Sequence, residues 1–449
     1  MSVQRIGGTC AAAAMVFALL APSGAVGAWR VRTLDGGRRA SLLGLAALPS
    51  GRTAVLLQEW RGGTKRLVLQ RPGRRPVTLM TSPHTFDGAL GADAGGHLAV
   101  AWNVIPSGGR FRRAYVWTGR AVRALTDGTR HATVLLTVSP AGRIAVAVND
   151  GATGRIVGVT WVRRGSFRNG LSGRRLPAGG LQGLVPDAFR FSPAGDLALG
   201  GYLPREAAPA GVAVAPAPTP AFAPAAGLPR LAAAPGEQAI PQVLAVGFAP
   251  GGDVVAATST LTCTIGTGDL GGECGRVTGS ALRVWRWAPG APGPGTATVP
   301  SRARFATRPA LATSGDALWM LWLEGATARP DTLAAARIGA AGPGAVRRTR
   351  LRGGVRPEVG PDAVSAAPAP GGAVRFYLPA PGRPTSALIT VRLTAKGAFG
   401  PFSTVVRGPR YAGPNTVVFP VLPVGLARDL VGWTLSSASG IGPARVATP

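Results

Sequence analysis

Across residues 41–433, short apolar runs come in pairs, and each pair is joined by a turn that contains glycine. Six of these turns read x-Pro-x-Gly: Leu48-Pro49-Ser50-Gly51, Ser139-Pro140-Ala141-Gly142, Ser192-Pro193-Ala194-Gly195, Ala249-Pro250-Gly251-Gly252, Ala369-Pro370-Gly371-Gly372 and Leu422-Pro423-Val424-Gly425. Asp93-Ala94-Gly95-Gly96 and Ala312-Thr313-Ser314-Gly315 fill the two intervals between them that would otherwise be empty. The turn glycines recur about every 53 residues on average, and a period of that size marks a repeat architecture.

The third unit shows the pattern in full. His131 to Val138 is a continuous apolar run, as expected of a strand covered on both faces. Ser139-Pro140-Ala141-Gly142 fits a type I turn, with Ser at the first position accepting a backbone bond and Pro fixing φ at the second. Arg143 to Val148 returns, Arg155 to Trp161 follows the Asn149-Asp150-Gly151 turn, and Arg163-Arg164-Gly165 leads into an Arg-rich fourth strand. One unit therefore reads as a four-stranded antiparallel meander. Sheets that are apolar on both faces cannot bury themselves alone, and radial packing of many such sheets solves the problem. The fold predicted is all-β, a β-propeller of about eight four-stranded blades, with seven the alternative count.

The ends of the chain fit ring closure. The eighth unit supplies strands at Thr416 to Leu422, Leu430 to Trp433 and Ala444 to Ala447, but no fourth. Trp29 to Leu34 is an orphan strand that would complete it and leave no open edge. Unit four is the irregular one: about residues 204–238 are rich in Ala and Pro, and the segment reads as a polyproline-like excursion rather than as poor outer strands.

Residues 1–28 read as a secretory signal. Arg5 supplies the positive start, Ala11 to Ala21 the apolar core, and Val26-Gly27-Ala28 the small residues before cleavage; an uncleaved anchor is the rival reading. The mature chain, residues 29–449, is then one exported propeller domain, secreted or associated with the cell envelope, with no later membrane-spanning stretch. Once Cys10 is removed, Cys263 and Cys274 remain as an even pair. In an oxidising compartment they are expected to form a structural disulfide, the alternative being two free thiols.

A net charge of +30 invites a nucleic-acid reading, which the distribution argues against. Of 49 basic residues only Lys65 and Lys396 are lysines, and the arginines are scattered rather than gathered on one face. That bias, with heavy Ala, Gly and Pro use, reflects GC-rich codons more than a selected basic surface. No nucleic-acid partner is expected; attraction to an anionic envelope polymer is.

The segment Phe191-Ser192-Pro193-Ala194-Gly195-Asp196-Leu197-Ala198-Leu199 resembles the repeat of TolB-type and tryptophan–aspartate-repeat-like propellers, and about a dozen residues per unit carry that resemblance. It implies the fold and a scaffold for protein contacts.

Motifs for chemistry are sparse. The chain holds no Gly-x-Ser-x-Gly elbow, His-Glu-x-x-His, phosphate loop or calcium loop, and no cofactor or metal site is expected. Asp269 and Glu273 read as the polar tip of the loop between the two cysteines. About ten residues before each turn glycine stands a polar residue: Ser41, Asp87, His131, Asp187, Gln242, Asp362 and Asn415, with Arg308-Pro309 near the corresponding place in unit six. In a propeller these positions ring one mouth of the central channel, where Asp87, His131, Asp187 and Asp362 are the candidates for a polar or metal ligand. The simpler reading is that each caps its own strand start. The function expected is a non-catalytic, monomeric scaffold that binds protein or envelope polymer; the alternative is a lyase or hydrolase built at the channel mouth.

Overall fold

A computed structural model describes residues 30–34, 39–106, 113–125, 132–150, 156–163, 175–176, 185–202, 210–217, 222, 226–228, 233–265, 274–291, 293–294, 297–327, 330–351, 365–380, 387–407, 417–425, 429–437 and 440–448. The proposed signal segment, His131 and Asp362 lie outside the described residues.

Every described element is a strand. β1 (Arg30–Thr33) is the first described strand. The first sheet runs β2 (Ala40–Ala47), β3 (Thr53–Arg61), β4 (Thr64–Gln70) and β5 (Val77–Ser82). The second runs β6 (Thr85–Ala92), β7 (Leu98–Ile105), β8 (Arg113–Trp117) and β9 (Val122–Ala124). The third holds β10 (Ala132–Val138), β11 (Arg143–Asp150), β12 (Ile156–Arg163) and β13 (Arg175–Leu176). The fourth holds β14 (Val185–Phe191), β15 (Leu197–Tyr202), β16 (Ala210–Ala215) and β17 (Ala226–Leu228).

Next comes a larger sheet. It contains β18 (Glu237–Phe248), β19 (Val254–Ile265), β20 (Cys274–Trp287), β21 (Phe305–Ser314), β22 (Ala317–Gly325), β23 (Thr332–Gly339), β24 (Gly342–Pro343) and β25 (Arg347–Arg350). Its two antiparallel meanders meet through a single parallel pair, Ser280 with Phe305. Then follow β26 (Ser365–Ala369), β27 (Ala373–Ala380), β28 (Ala387–Leu393) and β29 (Ser403–Arg407) as one sheet, and finally β30 (Val417–Gly425), β31 (Asp429–Ser437) and β32 (Gly440–Thr448). β1 pairs antiparallel with β32, Val31 opposite Ala447, so the two ends of the chain share the last sheet.

The first strand of each meander touches the next: β2 with β6, β6 with β10, β10 with β14, β14 with β18, β18 with β21, β21 with β26, β26 with β30, and β30 with β2. The core lies between successive sheets. Leu98, Val100 and Trp102 of β7 pack with Leu56, Leu67 and Leu69 of the first sheet. The intervening Ala99 and Ala101 pack instead with Val134, Ile144 and Val146 of the third. Alternate residues of one strand thus enter different cores, which is why the runs are apolar throughout. The architecture is propeller-like.

The turns behave as their residues dictate. Gly142 N–H donates to Ser139 O at 3.0 Å, Ser139 N–H to Arg143 O at 2.8 Å, and Gly142 has φ 79°. This is a type I turn followed by a left-handed glycine, the bulged hairpin connection. Gly51, Gly96, Gly195 and Gly252 repeat it, each with positive φ. Ser139 Oγ also accepts the Arg143 N–H at 2.9 Å, as Ser192 does for Asp196 and Asp93 for His97.

Two expectations need correction. Part of the Ala/Pro-rich stretch is ordinary sheet: β16 is buried along its whole length, because its small alanines and valines fit between neighbouring sheets and Pro216 falls just beyond its end. Leu422 to Gly425 is also strand, not turn: Leu422 pairs with Gly432 and Gly425 with Asp429.

Candidate functional site

The mouth where the inner strands begin is the first place to look. Ser41 is the second residue of β2, Asp87 the third of β6, Asp187 the third of β14 and Gln242 the sixth of β18. His131, Asp362 and Asn415 lie outside the described residues, as do the side chains of Asp187 and Gln242. Asp87 is exposed and stands in register with the fully buried Asn103. Asp187 and Gln242 fall on register shifts against β15 and β19. Leu43 does so against β3, and Arg308 with Pro309 against β22. A bulge kinks its strand and re-aims the side chain it carries. Four of the inner strands are therefore bent at the level of the polar ring.

Arg308 is the most unusual of these positions. It is 4% exposed and has φ 59°, the only positive φ outside glycine among the described residues. A residue that precedes proline and has a Cβ is disfavoured there, so the surrounding packing must hold it. Beside it, Ser259 Oγ lies 3.1 Å from Ser280 Oγ and 3.2 Å from Thr307 Oγ1, and Ser280 Oγ donates to Ala306 O at 2.9 Å.

Gln58 and Ser259, whose side chains tie one sheet to the next, carry a signal that the turn-to-strand reading passed over. Gln58, Asn103, Asn149 and Ser259 each stand seven residues after a turn glycine. Gln58 Oε1 accepts the Phe86 N–H at 2.6 Å, and Lys65 Nζ donates to Thr85 Oγ1 at 2.6 Å, both from the first sheet to the start of β6. Ser259 reaches Thr307 at the start of β21 in the same way. These residues were legible as a second periodic set, displaced from the first.

Two ionised clusters stand outside the ring. Burial pushes the Glu324 carboxyl up, but bonds from Ser301 Oγ at 2.6 Å, from Arg348 Nε and from Trp322 Nε1 at 3.0 Å outweigh it and hold it below the usual carboxylate value. Asp93 is treated alike: burial raises it, and the backbone N–H and ring of His97, both at 2.8 Å, bring it below its ordinary value. Among the described residues no three His, Cys, Asp or Glu side chains gather as a metal site would need.

A groove of about 440 Å³ opens between the first two sheets. Met80, Thr81 and Ser82 of β5 form one wall, and Val104, Pro106, Arg113 and Tyr115 the other. The Tyr115 ring stacks on Trp102 with centroids 5.5 Å apart and planes 15° apart, which fixes it as a wall.

No family model and no curated protein matches the chain. Solved structures do. A PL25 ulvan lyase bound to -[GlcA(1-4)Rha3S]- is similar at 11% identity over 92% of this chain and 95% of its own, with a TM-score of 0.49. The β-propeller domain of the trilobed protease from Pyrococcus furiosus is similar at 11% identity over 77% and 90%, with a TM-score of 0.42. The polysaccharide lyase Uly1 is similar at 11% over 78% and 87%, with a TM-score of 0.41. The neighbours include β-propeller proteins. At such identity the likeness concerns the fold alone.

Proposed function

We propose that the chain is an exported, non-catalytic propeller of eight blades, of the TolB or tryptophan–aspartate-repeat kind, that binds an anionic envelope polymer. The groove between the first two sheets is its binding site. The observation that carries this reading is the groove's lining among the described residues: a guanidinium, two hydroxyls, a stacked tyrosine and apolar walls, with no carboxylate, histidine or cysteine among them. A fixed aromatic face suits the apolar face of a sugar ring, and a guanidinium suits its acid group. The +30 charge adds long-range attraction.

Eight closed contacts between inner strands support the blade count, the large sheet being two blades joined by one parallel pair. The pattern of residues 1–28 supports export. So does a Cys263–Cys274 disulfide, which the register favours: Cys263 is buried on β19, and Cys274 pairs with Ile265 two positions along.

Retention of the chain on immobilised polyuronate, with neutral glucan as control, tests the binding. Retention should survive moderate salt and fall in Tyr115→Ala and Arg113→Ala. Equal retention of both variants and the parent would leave only nonspecific charge and end the proposal; capture of a discrete protein from envelope extract in its place would transfer the role to a protein partner.

A second reading, a lyase or hydrolase at the channel mouth, is favoured by Arg308, since strained backbone in a buried charged residue clusters at functional sites. Release of unsaturated or reducing ends from polyuronate, abolished by Arg308→Ala, would establish it; no release by the parent chain would dismiss it.

A further inference from the structure

Lys65 on β4 is the cross-strand partner of Ser82 on β5, and Ser82 lines the groove. Side chains alternate along a strand, so Lys65 shares its face of β4 with Leu67 and Leu69, which pack against the second sheet. Lys65 therefore points into the gap between sheets that the groove occupies. Its contact agrees: Nζ donates to Thr85 Oγ1 at 2.6 Å, at the start of β6 in the second sheet. Thr85 in turn pairs with Ile105, which lies between the groove residues Val104 and Pro106. The facing wall carries the other cation, Arg113, paired with Val104.

The two cations sit in different surroundings. Arg113 is exposed, whereas Lys65 is half-buried and held by Thr85. An exposed charge is screened by salt and acts chiefly through long-range attraction. A half-buried ammonium is screened less, and it separates charged from neutral groups at contact. The residue type matters too. Of 49 basic residues only Lys65 and Lys396 are lysines, and Lys396 stands exposed in the turn that follows β28. An ammonium is a compact charge whose rotatable donors serve two acceptors at once, which the rigid fork of a guanidinium does less freely.

Lys65 also has donors to spare. An ammonium carries three, Thr85 Oγ1 takes one, and no carboxylate pairs with Lys65 among the described residues. Its neighbour is similarly placed: Ser82 Oγ accepts the His84 N–H at 3.0 Å, and the hydroxyl hydrogen is left to donate. An ammonium beside a hydroxyl, in a gap that supplies no counter-charge, suits a single carboxylate, because charge-assisted bonds are the strong ones.

We propose that Lys65 is the acid-selecting residue of the groove: with Ser82 it binds one carboxylate of a uronate unit at contact, while Arg113 draws the polymer in. This assignment rests on the groove being the binding site. It divides the work of the two cations, one giving selectivity that survives salt and the other an attraction that salt removes.

Calorimetric titration of the full chain with a polyuronate oligomer and with its methyl ester is the test. It is run at about 0.1 M and about 1 M sodium chloride, between which the Debye length falls from about 10 Å to about 3 Å. The parent should prefer the acid to the ester about tenfold or more at both salt concentrations. Lys65→Met, which keeps the apolar stem, should bind acid and ester alike. Arg113→Ala should lose affinity at low salt and keep the parent's preference at high salt. An acid preference in Lys65→Met equal to the parent's would overturn the assignment and leave Lys65 as a tie to Thr85. Should Lys65→Met fail to fold, the parent decides: a preference that vanishes at high salt would overturn it. A parent that binds neither oligomer would instead remove the groove reading itself, and this assignment with it.

Discussion

Gln58 Oε1 accepts the backbone N–H of Phe86 at 2.6 Å, a buried bond from the second strand of one sheet to the first strand of the next. The first two sheets share no ladder, so such bonds fix the angle at which one meets the other. With Gln58 2% exposed, no water can replace it as an acceptor. Gln58→Leu should therefore leave the Phe86 N–H unpaired and cost about 1–3 kcal/mol. Urea unfolding would measure the loss, and an unchanged midpoint would show the bond to be incidental.

Gly91 has no room for a side chain. Its added Cβ would meet Val138 Cγ2 at 2.5 Å, across the contact between β6 and β10. Gly91→Ala should destabilise by about 1–3 kcal/mol through overpacking. Adding Val138→Ala should recover part of that loss, and the sign of the coupling in a double-mutant cycle would check the contact.

Glu324 should make stability depend on acid. Its folded carboxyl titrates below the ordinary value of 4.5, so it contributes stability that is fully present above that value and lost as pH falls through the folded one. Glu324→Gln should flatten this part of the profile below about pH 4.5 while lowering stability at neutral pH, because Arg348 and Ser301 lose their ionised partner. Unfolding midpoints from pH 3 to 7, roughly the span in which carboxylates titrate, would show it.

Removal of residues 30–34 should expose the free edge of β32, which β1 now covers. An unpaired edge strand invites pairing with another chain. Light scattering should report self-association in the truncated chain and not in the parent; a truncated chain that stays monomeric with an unchanged unfolding midpoint would show the closure to be dispensable.

Disulfide formation is open to a direct check. Non-reducing peptide mapping should recover Cys263 and Cys274 in one linked peptide, and Cys263→Ser should lower stability by about 2–4 kcal/mol. Free thiols at both positions in chain purified without reductant would contradict the assignment.

The candidate site was less legible than the scaffold. Ser41, Asp87, Asp187 and Gln242 were visible as a periodic polar set, but the chain does not announce that β14 and β18 bulge at Asp187 and Gln242. A bulge arises where a strand must fit the curvature of its sheet against its neighbours, and nothing local encodes that. Nor does the groove have a motif: Thr81 and Ser82 come from one sheet and Arg113 and Tyr115 from the next, and only their packing brings the two walls together.

What the chain determined alone is what short-range sterics can dictate. Gly142 at the end of Ser-Pro-Ala-Gly takes φ 79° because the turn needs a residue without a Cβ, and the equivalent glycines at 51, 96, 195 and 252 follow. Strand order within each meander, and the continuous apolar runs that demand cover on both faces, come from the same local pattern. The tertiary structure decided the rest, because those features depend on distances between segments far apart in sequence. It made Ala210 to Ala215 a buried strand in a stretch whose prolines argue against one, since neighbouring sheets reward small apolar residues there. It joined β1 to β32 across the length of the chain.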